Sequence, residues 1–348
     1  MNRSNLKITE DVLKALPKTD LHCHLDGSLR VETVLELAQE QGVKLPADNV
    51  DDLTDILKAG RRKNKSLADY LKVFDLTLSV MQTASAIERV AFELAEDQWN
   101  DGVRLLEVRF SPVLNIEQGL TLIETIEATK TGLRRAELKY GIITGIIVCG
   151  IRSIGGDTSL ILAELAVAFK NRGVVGFDLA GQEENYPAKD HMAAFYLTLN
   201  NNLNLTIHAG EAYGPESIHQ AIHYCGAHRI GHGTRTREDG DLLNYINDHR
   251  IPLEMCISSN VQTGSVSSFE SHPIKTYYEL GLRVTINTDN LLVSDTTVSK
   301  EFMIANKYYG FDMDDFKEII IYGFKSAFIP YNEKKKLVRE VVDELAKF

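Results

Sequence analysis

RVTINTDN, residues 283–290, decides the fold of this chain. It passes from an apolar, β-branched run into polar residues, as a strand does where it gives way to a loop. HCHLDG at 22–27 makes the same transition near the other end of the chain. Between them HAGE at 208–211 and GHG at 231–233 repeat it. Reading outward, strand-like runs recur at Thr19–Cys23, Arg104–Phe110, Ile142–Cys149, Val174–Leu179, Leu203–His208, Arg229–Gly231, Ile251–Ile257 and Arg283–Asn287. Amphipathic stretches such as Ala84–Asn100, Leu120–Lys139, Ser159–Asn171 and Pro215–Cys225 separate them. This alternation predicts an α/β fold with a parallel sheet. An open, doubly wound sheet also alternates, but it gathers polar strand ends only at its switch point. Here they stand on strands one, five, six and eight, and strands one and eight adjoin only if the sheet closes. The reading is a (β/α)8 TIM barrel. Residues 31–80 form a long insertion after the first strand, helical at 31–41 and 66–80. Residues 311–347 read as extra helices outside the barrel, and 1–348 as a single barrel domain.

The bulk properties are ordinary for a soluble globular enzyme. The 348 residues are 44% hydrophobic and 25% charged, with a net charge of -11. That charge disfavours nucleic acid as a partner. No run approaches the roughly 18 apolar residues of a membrane span, and the N-terminus lacks the apolar core of a signal peptide. Cys23, Cys149, Cys225 and Cys256 are far apart, and read as buried small hydrophobes in a reducing cytoplasm. The charge runs at 61–65 and 332–336 read as solvated faces.

His22 and His24 are two apart on a strand, so both imidazoles project from one face. That lets both reach one ion at about 2 Å. His208 ends another strand, and Asp289 follows the apolar run RVTIN as the natural fourth ligand. Three neutral imidazoles and one carboxylate leave a Zn²⁺ site with net positive charge, able to lower the pKa of bound water towards roughly 7. Glu211 falls one step beyond the metal. His219 and His223, four apart on a predicted helix, have no following glutamate and no third ligand nearby; they read as helix-surface residues.

LPKTDLHCHLDGSLR, EVRFSP, DLAG, HAGE, RIGHGTR and VTINTDN, in this order, closely resemble the adenosine deaminases of the metal-dependent amidohydrolase superfamily. The resemblance runs from about residue 15 to 330. It implies a barrel with one zinc that converts adenosine and 2′-deoxyadenosine to inosine or deoxyinosine plus ammonia, in purine salvage. It places His22, His24, His208 and Asp289 on the zinc ligands, Glu211 on the proton donor to purine N1 and His232 beside the attacking hydroxide. Asp26 and His24 match positions touching the ribose, and Gly181 one whose backbone meets purine N3. Attack at C6 pushes electrons onto N1, so a protonated Glu211 neutralises charge as it forms, typically about 10²–10⁴-fold in rate. Such an acid needs a raised pKa, which a water-poor pocket supplies. Many relatives have a second aspartate where this chain has Asn290, facing N7; an asparagine amide donates there without first being protonated. Leu67, Tyr70, Leu71 and Phe74, in the stretch Ser66–Leu76, read as core packing or, by the resemblance, as an apolar gate. Ser111 is a weaker pocket candidate.

Two neighbouring chemistries stay open. An adenine deaminase, or a deaminase of a 5′-modified adenosine, shares the machinery; Asp26 favours a nucleoside because it can reach a 5′-hydroxyl. A binuclear hydrolase needs a bridging lysine or glutamate near the end of strand four, and VVGFDLAG has no lysine. A non-catalytic nucleoside-binding barrel finds no support, since each acid, base and ligand position holds a competent residue. The HxE and PCxxC motifs of the cytidine-type zinc deaminases are absent.

Overall fold

The computed structural model describes residues 7–58 and 67–348. The basic run at 61–65 and Ser66 lie outside the described residues. The strands β1 (Lys18–His24), β2 (Val103–Phe110), β3 (Ile143–Ile151), β4 (Val174–Ala180), β5 (Asn204–Ala209), β6 (Arg229–His232), β7 (Leu253–Met255) and β8 (Val284–Ile286) pair in sequential order. Each neighbouring pair is parallel. β1, β2, β4 and β5 are buried over nearly their whole length, because helices cover them outside and side chains fill the interior.

β8 meets β1 through an isolated bridge between Cys23 and Asp289. The Asp289 N–H donates to the His22 carbonyl at 2.8 Å, and the His24 N–H to the Asp289 carbonyl at 2.7 Å. Asn287 Oδ1 accepts from the Leu21 N–H at 2.9 Å, and Asp20 accepts from the Thr288 hydroxyl at 2.5 Å. The barrel is thus closed at Asp289, His22 and His24, three of the expected metal ligands. Helix Met313–Ser326 covers this seam, packing on both β1 and β8.

Helix Ala84–Asn100 begins where Thr83 accepts from the Ala86 N–H, as the sequence predicts at both ends. Helix Leu122–Tyr140 starts from a Thr121–Glu124 capping box and ends at left-handed Gly141. Two expectations shift. Strand seven is only Leu253–Met255, because Pro252 has no N–H for the ladder and Ile257 opens helix Ile257–Gln262. The helix expected over 66–80 is two short ones, Leu67–Leu71 and Phe74–Ser79. Val73 between them is 1% exposed, so this segment buries side chains on more than one side.

Beneath the barrel mouth lies a buried layer of charge. Arg109 donates to Asp178 and to Glu254, each at 2.9 Å. Arg229 pairs with Glu107 at 2.6 Å and also reaches Glu254. Losing one partner of such a pair strands a charge in a dry interior, so the layer acts as a unit.

Candidate metal centre and active site

His22, His24, His208 and Asp289 come together at the mouth. Their potential ligand atoms all lie within 4.8 Å of one another, and no other group of this kind exists among the described residues. His208 Nε2 lies 3.0 Å from His22 Nε2 and 3.1 Å from His24 Nε2. Asp289 Oδ1 lies 3.4 and 3.5 Å from the same two nitrogens. A tetrahedron with metal–ligand bonds of about 2.0–2.1 Å has edges of about 3.3 Å, so the spacing fits one small divalent ion. Gly231 lies against this cluster; a Cβ there would meet His22 Cε1 at 2.9 Å.

The opposite ring nitrogens explain why the lone pairs point inward. His22 Nδ1 donates to Glu254 at 2.8 Å, and His208 Nδ1 to Asp178 at 3.0 Å. Each proton is thereby held on Nδ1, leaving Nε2 free to ligate. Burial alone would push both carboxyls up, but Arg109 and Arg229 beside Glu254, and His208 and Arg109 beside Asp178, hold them well below the usual range. Sequence reasoning assigned no role to Asp178 or Glu254. Their signal is a charge inside an otherwise apolar strand, in VVGFDLA and IPLEM. His219 and His223 remain apart from this site, on the exposed face of helix Pro215–His223 with ring centroids 4.4 Å apart.

Glu211 sits in the loop after β5 and is 5% exposed. Burial, then the charges of Asp289 and Glu183, raise its pKa well above the carboxylate range. His232, left-handed at φ 62, brings Nε2 to 3.6 Å from Glu211 Oε2. Asp289 is also left-handed, at φ 61. Strain of this kind costs about 1–3 kcal/mol per residue and is kept where the surroundings over-determine it.

Glu183 escaped sequence reasoning altogether. Its carboxylate accepts from the N–H groups of Gly210, Glu211, Ala212 and Tyr213, at 2.6, 3.0, 2.6 and 3.0 Å. It therefore ties the loop after β4 to the loop that carries Glu211. No local pattern could have shown this, since the partners are nearly thirty residues away.

A cavity of about 430 Å³ opens over the cluster, lined among others by His24, Asp26, Ser111, Gly181, Glu211, His232, Asp289 and Asn290. Leu67, Tyr70, Leu71 and Phe74 also line it, so these side chains face the cavity as the gate reading required. Three buried polar atoms along this wall have no hydrogen-bond partner: Asp26 Oδ1, which lies 4.0 Å from His24 Nδ1, Ser111 Oγ and Asn290 Oδ1. Burial pushes the Asp26 carboxyl up to about 7. Asn290 Nδ2 donates to the Tyr70 hydroxyl at 2.8 Å, leaving its second N–H for a ligand. Its Oδ1 lies 1.7 Å from where a Gly27 Cβ would be, so any side chain at 27 would displace the amide. Tyr70 in turn bonds Ser294 Oγ at 2.8 Å.

A closed parallel barrel with a His–Asp cluster at the C-terminal ends of its strands has the architecture of the metal-dependent barrel hydrolases. The profile of the adenosine deaminase family matches residues 17–344, and the chain belongs to that family. It is 44% identical over 352 residues to an adenosine deaminase of Mycobacterium sp. (strain JLS), covering 96% of both chains. It is 42% identical over 340 residues to a probable adenosine deaminase of Dictyostelium discoideum, covering 98% of this chain and 44% of that longer one. Among solved structures, Arabidopsis ADAL complexed with IMP matches with a TM-score of 0.87 at 26% identity, over 97% of this chain and 99% of that one. The adenine deaminase of Arthrobacter aurescens shares the fold, with a TM-score of 0.88 at 24% identity over 94% and 99%. Among the described residues, no helix is long and apolar enough to cross a membrane.

Proposed function

We propose that this protein is a zinc-dependent adenosine deaminase, hydrolysing the exocyclic amine of adenosine and 2′-deoxyadenosine to give inosine or deoxyinosine and ammonia. The carrying observation is a buried Glu211, its pKa raised by burial and by the charges of Asp289 and Glu183, beside a three-imidazole, one-carboxylate cluster on a shared cavity. His22, His24, His208 and Asp289 would hold the ion, and nitrogen-rich tetrahedral donors suit zinc over magnesium or calcium. When bound, the ion supplies a water nucleophile activated at neutral pH.

The chain's own residues do the rest. Glu211 gives its proton to purine N1 as electrons move there from C6, so charge does not build on the ring. His232 and Asp289 flank the attacking oxygen, align it with C6 and handle its proton. Asn290 donates to N7, and the backbone at Gly181 meets N3. Asp26, with His24 beside it, receives the ribose. Its acceptor oxygen, without a hydrogen-bond partner, suits a 5′-hydroxyl and repels a 5′-phosphate. Leu67, Tyr70, Leu71 and Phe74 close the apolar side and exclude water, which strengthens each polar contact within.

The whole chain acts as one catalytic barrel serving purine salvage. Its cysteines are buried thiols, which suits a reducing cytoplasm. The competing substrates are adenine and 5′-modified adenosines, and the relatives bound to or named for other purines make this comparison the decisive one. Turnover of adenosine, adenine, AMP and 5′-methylthioadenosine should be measured side by side by ammonia release. Adenosine is expected to have the highest kcat/KM; preference for adenine or AMP would overturn the assignment.

A further inference from the structure

A chain of hydrogen bonds runs from the backbone of helix Ile274–Glu279 to the ring of His232. The Ile274 N–H donates to His272 Nδ1 at 3.2 Å. His272 Nε2 stands 3.1 Å from Asn260 Oδ1, and Asn260 Nδ2 stands 2.9 Å from His232 Nδ1. All three side chains are buried, at 4% exposure or less.

The direction of the chain is forced. A backbone N–H can only donate, so His272 Nδ1 must be the acceptor and carries no proton. The ring is then neutral with its proton on Nε2, facing Asn260. Burial, followed by the charge of Arg237, pushes the His272 pKa down to about 3, which agrees with a neutral ring. Because His272 Nε2 donates, the oxygen end of the Asn260 amide must face it. The NH₂ end must then face His232 and donate to Nδ1. With that lone pair used, the neutral His232 ring carries its proton on Nε2, the nitrogen pointing to Glu211 across the cavity.

We infer that His272 and Asn260 are positioning residues that lock His232 as the Nε2–H tautomer, so that it presents a hydrogen-bond donor, not a base, to the reaction. This rests on the deaminase reading and divides the labour which that reading leaves shared. A ring that already holds its Nε2 proton has no lone pair there for the proton of the attacking water. It can align and stabilise the oxygen by donation. The proton is then left to Asp289, the other group on the shared cavity that the deaminase reading sets beside the attacking oxygen. His232, the last residue of β6, has its proton placed by a hydrogen bond from Asn260, 28 residues on.

The test is a ¹⁵N spectrum of the zinc-loaded enzyme labelled at histidine, with the His232 signals identified by their loss in His232→Gln. Nδ1 is expected at the shift of an unprotonated acceptor and Nε2 at that of a protonated nitrogen; the reverse pattern would overturn the inference without any variant of the relay. Asn260→Asp offers oxygen to both neighbours and should move the His232 proton to Nδ1, lowering kcat by about 10²-fold with KM little changed. His272→Gln still offers an N–H to Asn260, and should keep both the tautomer and most of kcat. Wild-type kcat in Asn260→Asp together with a swapped proton would show that the tautomer is immaterial. Wild-type enzyme that shows the expected spectrum but does not deaminate adenosine would instead refute the substrate reading and leave the relay standing.

Discussion

The loops after β5 and β8 each bury a carboxyl side chain, Glu211 and Asp289, both 5% exposed, yet the two are driven to opposite states. Burial raises the Glu211 pKa, and the neighbouring charges of Asp289 and Glu183 raise it further. Burial pushes Asp289 up as well, but His22, His232 and His24 surround it and hold it well below the carboxylate range. Ser259 adds a hydrogen bond to Asp289 Oδ2 at 2.5 Å. Depth is the same; company decides. One loop therefore carries an acid and the other a permanent anion, and a single cavity receives both.

The contrast breaks most completely if the cluster beside Asp289 is dismantled. His208→Ala should lose metal and activity together, and also leave Asp178 without its imidazole partner. Metal analysis of the purified variant checks this: full occupancy would mean the ligand set is wrong. Glu211→Gln is next, with metal retained and kcat lower by about 10²–10⁴-fold. The same residue sets the pH dependence. Its acid form is the active one, so kcat/KM falls as pH rises through its elevated pKa, and Glu211→Gln should lose that alkaline limb. Stability follows the same sign. The unfolded chain releases this proton near the ordinary carboxylate pKa and the native protein only above it, so the native state loses stability with rising pH between the two.

Glu183→Gln sharpens the comparison more gently. A glutamine offers one acceptor oxygen and an NH₂ that opposes the converging N–H groups, so the Glu211 loop loses its anchor. A kcat loss of up to about 10²-fold with metal unchanged is expected; wild-type kcat would show that the clamp does not position the acid. An effect of similar or smaller size falls on the β8 side. Asn290→Ala should cost roughly 1–3 kcal/mol in kcat/KM for adenosine. The loss should shrink for 7-deazaadenosine, which has no N7 acceptor; an equal loss for both would assign Asn290 a purely structural part.

How much of this was legible depended on whether a residue's partners are local. His22 and His24 share a face by the two-residue period of a strand, and His208, Glu211 and Asp289 stand at strand ends marked by apolar runs. Barrel closure could be read because Asp289 and His22 had to meet, and the seam is indeed built by the backbone of Asp289, His22 and His24. The strand that shortened, Leu253–Met255, did so at a proline visible in the sequence. Glu183, Asp178, Glu254 and the Asn260–His272 pair stayed hidden because each holds a side chain or a loop backbone that is distant in sequence. Spacing carries no trace of such contacts; only the oddity of a charge in an apolar strand hints at two of them. Tyr70 was visible as an apolar face, while the bond from Asn290 to its hydroxyl joins residues on opposite sides of the fold's sequence.

The most direct measurement follows metal content and adenosine turnover in one sample, before chelation, after it, and after zinc is restored. The account expects one ion per chain, with deamination lost and regained in step with occupancy. Undiminished conversion of adenosine to inosine by protein freed of metal would contradict it.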